Sequence, residues 1–322
     1  MKTLVIGATG YLGAHVGKAL SSAGMDVTGL TRHVDEDRIA FIGKNGMKVL
    51  AGDMVEEGAF PNVVPFDAIV FAPQLLMNPE QAAVRRILDA LEGTGKVFIF
   101  TSGTGVLGQR TMGAWSQDSF AEDDPFVPLR AIAKRAETEN IVRAAERRGV
   151  RAMVIRPPRV WGYGARGPVS MTYESVARTG AACFVGEGLN LYSSVHVDDL
   201  CDLYVKAVLS GTAGALYHAV GGEIPNRWIA ECVARDMGCQ TRSVDMDEAM
   251  KIWGRYQTLI VLSVSSRSRA VRSRHELDWS PHHTDMLTEV GLMEFRELAY
   301  KAPQSIVEGR MSTALDRVTA QY

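Results

Sequence analysis

The sequence has few cysteines, and they are not arranged to hold a metal ion or a disulfide framework. The four cysteines are scattered, with no CxxC pair and no histidine at ligand spacing: Cys183, Cys201, Cys232 and Cys239. Free thiols in a reducing compartment are the usual state of such residues. We therefore expect no metal site and no disulfide scaffold.

The chain also lacks a strong excess of charge and any long hydrophobic run. Its formal net charge is −2 over 322 residues, which gives no overall field towards nucleic acid or a membrane surface. The apolar run after Lys2 is too short for a signal peptide or a membrane span and is typical of a buried strand. We expect a cytoplasmic protein whose partner is a small-molecule substrate, with no nucleic-acid and no membrane partner.

The first half of the chain alternates short apolar runs with helical patterns. The apolar runs are Thr3–Ile6, Val27–Leu30, Met47–Leu50, Ala68–Ala72, Val97–Phe100 and Ala152–Ile155. Helical spacing of apolar residues occurs over Tyr11–Ala23, Pro79–Leu91 and Ile132–Arg148. Strands that are apolar throughout and separated by helices predict an α/β fold, a Rossmann-type doubly wound parallel sheet, over residues 1–156.

The second half of the chain has a looser pattern, with shorter helices and more glycine and proline. It predicts a smaller α+β substrate-binding lobe over residues 157–322, with segments that include about 191–220 returning to the first domain. The polar stretch Ala302–Tyr322 is expected to form a terminal helix or arm.

The strongest local signal is a glycine-rich turn directly after the first predicted strand. In it, Gly7 allows a tight turn, Gly10 lets the backbone approach a pyrophosphate, and Gly13 lets the following helix pack closely. The start of that helix offers free N–H donors and a favourable dipole to an anion. The turn, Gly7-Ala8-Thr9-Gly10-Tyr11-Leu12-Gly13, therefore predicts a dinucleotide site.

The end of the second strand indicates which dinucleotide is bound. NAD-binding domains place Asp or Glu there to accept hydrogen bonds from the ribose 2′-hydroxyl, whereas this chain has Thr31 and Arg32. A guanidinium group suits a 2′-phosphate, so the pattern favours NADP(H) over NAD(H). Two alternatives are that Arg32 is an exposed residue at a helix start, and that Asp35 or Glu36 folds back to the ribose.

Two further strand ends are candidates for cofactor contacts. Asp53 and Met54 follow the third strand and are expected to flank the adenine. Phe71, Ala72 and Pro73 end the fourth strand and are expected to line the ribose and pyrophosphate. Plain packing at the strand ends is the alternative for both.

Taken together, these segments resemble the extended short-chain dehydrogenase/reductase superfamily, the NAD-dependent epimerase/dehydratase family. Beyond the glycine turn, similar motifs are Thr101–Gly108, Arg156–Gly162, His196–Leu200 and Ser268–Pro281. The resemblance implies that Thr101, Pro157 and Val160 contact the cofactor, and it implies a homodimer.

The resemblance is weakest at the catalytic residues. The family uses a Tyr-x-x-x-Lys helix plus a Ser or Thr, with the tyrosine as proton donor and the lysine on the nicotinamide ribose. Here Lys134 is at the lysine position, but Arg130 is at the tyrosine position. The hydroxyl position falls on Gly103, beside Ser102. An arginine is a poor proton donor, although its charge can stabilise an oxyanion.

Three tyrosines are candidates to replace the missing acid, namely Tyr163, Tyr173 and Tyr192, with ordinary packing as the alternative for each. The predicted catalytic set is Lys134, Ser102, Tyr163 and Arg130. A candidate substrate lining of Trp115, Trp161, Tyr163, Met171 and Tyr173 favours an apolar or aromatic substrate.

Three functions remain open from the sequence. The first is an NADP(H)-dependent oxidoreductase of a small carbonyl, imine or activated alkene. The second is a catalytically silent NADP(H) sensor or scaffold, and the third is a sugar-nucleotide epimerase or dehydratase. The arginines at positions 32 and 130 count against the third function.

Overall fold

A seven-stranded parallel sheet forms the centre of the protein. In the computed structural model, which describes residues 1–73 and 75–300, its strand order is β10-β6-β5-β4-β1-β2-β3, and each pairing is parallel. The strands of the described residues are β1 (Lys2–Ile6), β2 (Asp26–Thr31), β3 (Lys48–Ala51), β4 (Ala68–Phe71), β5 (Val97–Thr101), β6 (Arg151–Arg156), β7 (Arg159–Trp161), β8 (Ala181–Val185), β9 (Leu191–His196), β10 (Leu216–His218), β11 (Gly222–Pro225) and β12 (Gln240–Val244).

Helices cover both faces of this sheet. The α-helices of the described residues are α1 (Tyr11–Ser22), α2 (Glu36–Lys44), α3 (Met77–Ala90), α4 (Ala133–Ala144), α5 (Pro168–Thr179), α6 (Val197–Ser210), α7 (Asn226–Met237), α8 (Met246–Trp253), α9 (Val271–Glu276) and α10 (Met293–Tyr300). None of them is both long and apolar enough to cross a membrane.

Strand β1 shows why both faces must be covered. Leu4 and Ile6 belong to one buried cluster, with side chains of α3 and α4, whereas Val5 belongs to another, with side chains of α1 and α6. Successive side chains of a strand point to opposite faces, so an apolar strand needs a layer on each side. The predicted α/β fold with a doubly wound parallel sheet is confirmed.

One part of the second half of the chain lies between two strands of the large sheet in sequence, and the other part follows the last of them. The chain leaves the sheet after β6, forms β7 to β9 with α5, and returns through α6 to β10. Outside the large sheet, β7, β9 and β11 form a three-stranded sheet, and β8 pairs with β12. The division at residues 156 and 157 stays a prediction about domains, and the expected arm at 302–322 lies outside the described residues.

Helix α2 is the main element missing from the sequence prediction. Ile42 is its one buried residue, so the helix lacks the apolar stripe on which the prediction relied. It begins instead from a polar cap, in which the Asp35 carboxylate accepts a hydrogen bond from the Arg38 N–H at 2.9 Å.

Candidate cofactor and substrate site

A single cavity of about 690 Å³ runs along the carboxyl ends of the parallel strands. This edge is where open α/β sheets bind their ligands. The part that we call the cofactor half is lined by Ile6, Leu30 and Gly52 and by the predicted cofactor residues Gly7, Thr9, Gly10, Tyr11, Leu12, Gly13, Thr31, Arg32, Asp53, Met54, Ala72 and Pro73. Three further predicted cofactor residues, Thr101, Pro157 and Val160, also line the cavity. The remaining lining, which we call the substrate half, is Leu75, Met77, Ser102, Gly103, Thr104, Gly105, Val106, Ile132, Arg135, Pro158, Ala165, Arg166, Tyr192, Tyr256, Ile260 and Val261.

The glycine turn has no room for side chains at two of its glycines. Gly7 has φ +91°, and a Cβ on it would lie 2.7 Å from the carbonyl oxygen of Ala72. A Cβ on Gly13 would lie 2.1 Å from the carbonyl oxygen of Gly7. Gly10 is the N-cap residue of α1, and no side chain caps the free N–H groups at the start of this helix. The turn therefore presents uncapped donors to the cavity, as a pyrophosphate site requires.

Arg32 lies at the cavity wall directly after β2 and is exposed. It has no ion-pair partner among the described residues. Asp35, one of the two carboxylates named above as an alternative contact to the ribose, instead caps α2 and pairs with Arg38. The hydrogen bond from the Arg38 N–H also lowers the pKa of Asp35. This corner of the cavity therefore offers an unpaired guanidinium group and no free carboxylate from Asp35.

The two other strand ends differ in what they contribute. Asp53, Met54, Ala72 and Pro73 line the cavity, and Asp53 accepts hydrogen bonds from the backbone of Val55 and Glu56. Phe71, in contrast to the sequence prediction, does not line it. Its side chain is fully buried against the rings of Phe98 and Phe100, because its position on β4 faces α3 and α4.

The floor of the cavity below β5 is a buried polar network. Ser102 donates a hydrogen bond to Glu139, and Glu139 forms a buried ion pair with Arg156. Arg156 also contacts Nε2 of His218 at 3.4 Å, and burial together with this cation lowers the pKa of His218 to about 3. Ser102 therefore lies at the cavity as predicted, but its proton is directed at Glu139.

Helix α4 presents a different cation to the cavity from the one predicted. Lys134 is half-buried and is not among the lining residues, and Arg130 is exposed and is not among them either. Arg135 lines the cavity instead, held from behind by the buried carboxylate of Glu80. Burial raises the pKa of Glu80 despite this cation. Neither Lys134 nor Arg130 therefore lines the cavity, and their catalytic roles stay a prediction.

The three candidate tyrosines are in three different environments. Tyr163 is 65% exposed, bonds to Asp198 and is absent from the lining. Tyr173 is fully buried and donates a hydrogen bond to Asp236. Tyr192, on β9, is buried and lines the cavity. The structure thus brings one of the three to the site, and it is not the predicted Tyr163.

The remaining wall comes from residues that the sequence prediction missed. Tyr256, Ile260 and Val261 lie at or within a short π-helix, Gln257–Leu262. The predicted aromatic lining is wrong: Trp161, Met171 and Tyr173 are core residues, and Trp115 and Tyr163 are exposed away from the cavity. The observed lining is still largely apolar. A π-helix such as Gln257–Leu262 is often found at functional sites, but it has no simple sequence signal, which is why this wall was missed.

A cluster of histidines lies at the junction of the lobes and is separate from the cavity lining. His196 accepts a hydrogen bond from the Asp198 N–H, and its ring stacks on His283 at 4.1 Å between centroids. His283 also packs against Asp199, whose carboxylate accepts a hydrogen bond from the His283 N–H at 2.8 Å. One ligand atom from each of His196, Asp198 and His283 lies within 4.8 Å of the other two, a spacing compatible with a metal ion, so the expectation of no metal site stays a prediction.

The cofactor half of the cavity fits a nicotinamide dinucleotide. A Cβ would fill the cradle at Gly7 and Gly13, the start of α1 is uncapped, and the adjoining wall carries Arg32. The sequence profile of the NAD-dependent epimerase/dehydratase family matches residues 3–220. The chain belongs to this family, within the extended short-chain dehydrogenase/reductase superfamily. Membership supports an NAD(P)-dependent oxidoreductase, epimerase or dehydratase.

Individual relatives are more distant. An uncharacterised protein of Schizosaccharomyces pombe is 27% identical over 90% of this chain and 98% of its own length. A dTDP-4-dehydro-6-deoxy-D-allose reductase of a Streptomyces species is 23% identical over 65% of this chain and 72% of its own length. The structure of dTDP-glucose 4,6-dehydratase from Bacillus anthracis in complex with NAD has a TM-score of 0.71 at 17% identity, covering 95% of this chain and 98% of that one. At this identity the likeness establishes the fold alone.

Proposed function

We propose that this protein is an NADP(H)-dependent reductase of a small organic carbonyl, imine or activated alkene with an apolar or aromatic body. The observation that carries the proposal is the unpaired Arg32 at the cavity wall, where NAD-binding domains place a carboxylate. A guanidinium group holds a phosphate by two parallel charge-assisted hydrogen bonds, which a plain ribose hydroxyl cannot offer.

Residues of the cavity lining would hold each part of the proposed cofactor. The N–H groups at the start of α1 and the glycine turn would hold the pyrophosphate, and Arg32 the 2′-phosphate. Thr101, Pro157 and Val160 would lie at the nicotinamide end. A nicotinamide bound there supplies a hydride, while the protein supplies position and polarity.

The substrate half of the cavity supports the choice of substrate. Its wall carries the apolar side chains Leu75, Met77, Ile132, Ile260 and Val261. Apolar walls with a few polar groups are typical of sites that orient a small apolar molecule. The similarity to the dTDP-4-dehydro-6-deoxy-D-allose reductase supports reduction as the direction of chemistry.

The test is a calorimetric titration of wild type, Arg32→Ala and Arg85→Ala with NADPH and with NADH. Arg85 is an exposed arginine on α3 outside the cavity and serves as the control. Hydrogen bonds to charged groups contribute about 1.5–3 kcal/mol, so we expect Arg32→Ala to weaken NADPH binding by roughly 10- to 100-fold. NADH binding and the Arg85→Ala variant should be unchanged. Wild-type binding of NADH as tight as that of NADPH would contradict the proposal and favour the epimerase or dehydratase.

Turnover is then measured with NADPH and a panel of benzaldehyde, cinnamaldehyde, 2-cyclohexenone and 1-pyrroline. Oxidation of NADPH with any of them supports the reductase. A second function, a silent NADP(H) sensor, is favoured by the positions of Arg130 and Lys134 outside the cavity lining. It predicts NADPH binding with no turnover on the whole panel.

A further inference from the structure

We propose that Tyr192 is the proton donor of this reductase and that Arg159 is the positioning residue behind it. The inference rests on the proposed function and adds the acid that the sequence lacks at position 130. It is carried by the geometry of β7 and β9, which lie side by side in the three-stranded sheet and bring the two side chains together.

The Tyr192 hydroxyl lies over the floor of the cavity. Its oxygen is 3.3 Å from the point where a Cβ on Gly105 would be, a few residues beyond the end of β5. Methyl groups of Ile132 and Ile260 lie 3.8 and 4.0 Å from the same point. The hydroxyl thus lies in the substrate half beside Ile132 and Ile260, and it also has hydrogen-bond interactions with the side chains of Thr104 and Ser266.

Arg159 lies beneath the Tyr192 ring, and its positive charge is not balanced by a carboxylate of the described residues. Its guanidinium carbon is 4.6 Å from the centre of the Tyr192 ring. It donates hydrogen bonds to the Asn226 side chain and the Val261 carbonyl, but no carboxylate of the described residues pairs with it, and its Nε has no partner there. Burial accordingly lowers the pKa of Arg159 to about 10.

A buried cation without a counter-ion is costly to keep in a fold. Arg135, the cation at the cavity wall on α4, is instead neutralised by Glu80. The retained charge of Arg159 becomes useful when the neighbouring phenol loses a proton, because the tyrosinate then supplies the missing negative charge.

The other hydroxyls of the cavity are less well placed. The Ser102 proton is directed at Glu139, and the Thr101 hydroxyl is bonded to Tyr204. Two other tyrosines line the cavity. The Tyr11 hydroxyl donates a hydrogen bond to the Gly162 carbonyl at 2.6 Å, and the cation near Tyr256 is Arg135, which Glu80 neutralises. Tyr192 is therefore the cavity phenol with an uncompensated charge behind it.

The step balances as an ordinary carbonyl reduction. Bound NADPH supplies the hydride, with its electron pair, to the carbonyl carbon. The electrons of the carbon–oxygen π bond move to the oxygen, the O–H bond of Tyr192 breaks, and its proton forms the new O–H bond of the alcohol. Water returns a proton to the tyrosinate beside Arg159. Burial raises the pKa of Tyr192 and the Arg159 cation opposes that rise, so the phenol is protonated at neutral pH and Arg159 favours the loss of its proton.

The first experiment measures turnover and binding in the holoenzyme. Wild type, Tyr192→Phe and the control Tyr217→Phe are compared with NADPH and the panel compound that wild type reduces fastest. Tyr217 is a fully buried tyrosine on β10 outside the cavity lining. Losing a positioned acid costs about 10²–10⁴-fold in rate, so we expect a fall of that size in kcat for Tyr192→Phe with the NADPH Kd unchanged. Tyr217→Phe should retain wild-type kcat.

A second readout does not depend on turnover. Protein labelled with [4-¹³C]tyrosine is titrated by NMR, and the Tyr192 resonance is identified by its absence in Tyr192→Phe. The Tyr192 resonance should titrate at higher pH in Arg159→Gln than in wild type, and Arg159→Lys should restore the titration towards wild type. If the Arg159 variants do not fold, Tyr192→Phe still decides the identity of the donor.

The outcomes separate this inference from the proposed function. No turnover by wild type on the panel overturns both. An active wild type with an equally active Tyr192→Phe overturns this inference alone, as does a loss that appears in Tyr256→Phe and not in Tyr192→Phe. An unchanged Tyr192 titration in Arg159→Gln overturns the role of Arg159.

Discussion

Replacing Glu139 by Gln tests the buried network beneath the cavity floor. The side chains of Glu139 and Arg156 are only 2% and 4% exposed, so their ion pair has almost no contact with water. Glu139 accepts hydrogen bonds from Ser102 and from Nε of Arg156 on one oxygen and from Nη2 of Arg156 on the other. Glutamine keeps one acceptor but turns an N–H₂ group towards a guanidinium N–H, leaving Arg156 buried and uncompensated.

The burial of the ion pair determines how much stability Glu139→Gln is expected to lose. Removing one partner of a buried ion pair costs about 3–5 kcal/mol, far more than the loss of an exposed pair. We therefore expect Glu139→Gln to lower the free energy of unfolding by about that amount. The assay is urea unfolding followed by tryptophan fluorescence, with the slope against denaturant required to stay the same as in wild type.

A double variant provides the control. Glu139→Leu with Arg156→Met removes both charges, and it should be less destabilised than Glu139→Gln because no unpaired charge remains. A Glu139→Gln protein within about 1 kcal/mol of wild type would show that the pair is not compensating a buried charge, and the reasoning would be refuted.

Two further predictions concern the turn and the lobe junction. Gly13→Ala should weaken NADPH binding by about tenfold or more, because its Cβ would meet the Gly7 carbonyl oxygen at 2.1 Å, whereas Gly43→Ala, with no atom within 4 Å of its Cβ, should leave binding unchanged in the same titration. Burial raises the pKa of Glu289 from 4.5 to about 7, so its contribution to stability is full below pH 4.5 and is lost as pH rises through 7. Glu289→Gln should therefore melt above wild type at pH 8.5, with the gap closing towards pH 5. An equal difference in melting temperature between Glu289→Gln and wild type at pH 8.5 and at pH 5 would contradict the raised pKa of Glu289.

Local features of the fold and site were predictable from the sequence. The glycine turn and Arg32 depend on residues close in sequence, and the turn directly follows a strand, so their spacing determines their place. Strands that are apolar on both faces likewise predict a parallel sheet with two covering layers. Helix α2 was not predicted, because it buries only Ile42 and so has no apolar stripe.

The side chains that reach the substrate half were not predictable from spacing. Arg130–Ile132 form a 3₁₀ turn before α4 begins at Ala133. A 3₁₀ turn rotates the chain by a different angle per residue from an α-helix, so counting along a regular helix does not tell whether Lys134 or Arg135 faces the cavity. Tyr192 and Tyr256 come from distant parts of the chain, and their meeting at one cavity depends on the packing of the whole second lobe.

The late position of β10 in the chain has a consequence for synthesis on the ribosome. When β1 to β6 have emerged, β6 is still an open edge, because its partner β10 is made only after β7 to β9, α5 and α6. The face of β1 that carries Val5 also lacks α6 at that stage. An unpaired edge and an uncovered apolar face are the surfaces on which nascent chains aggregate. The central sheet is therefore completed only after β7 to β9 and α5 have been translated.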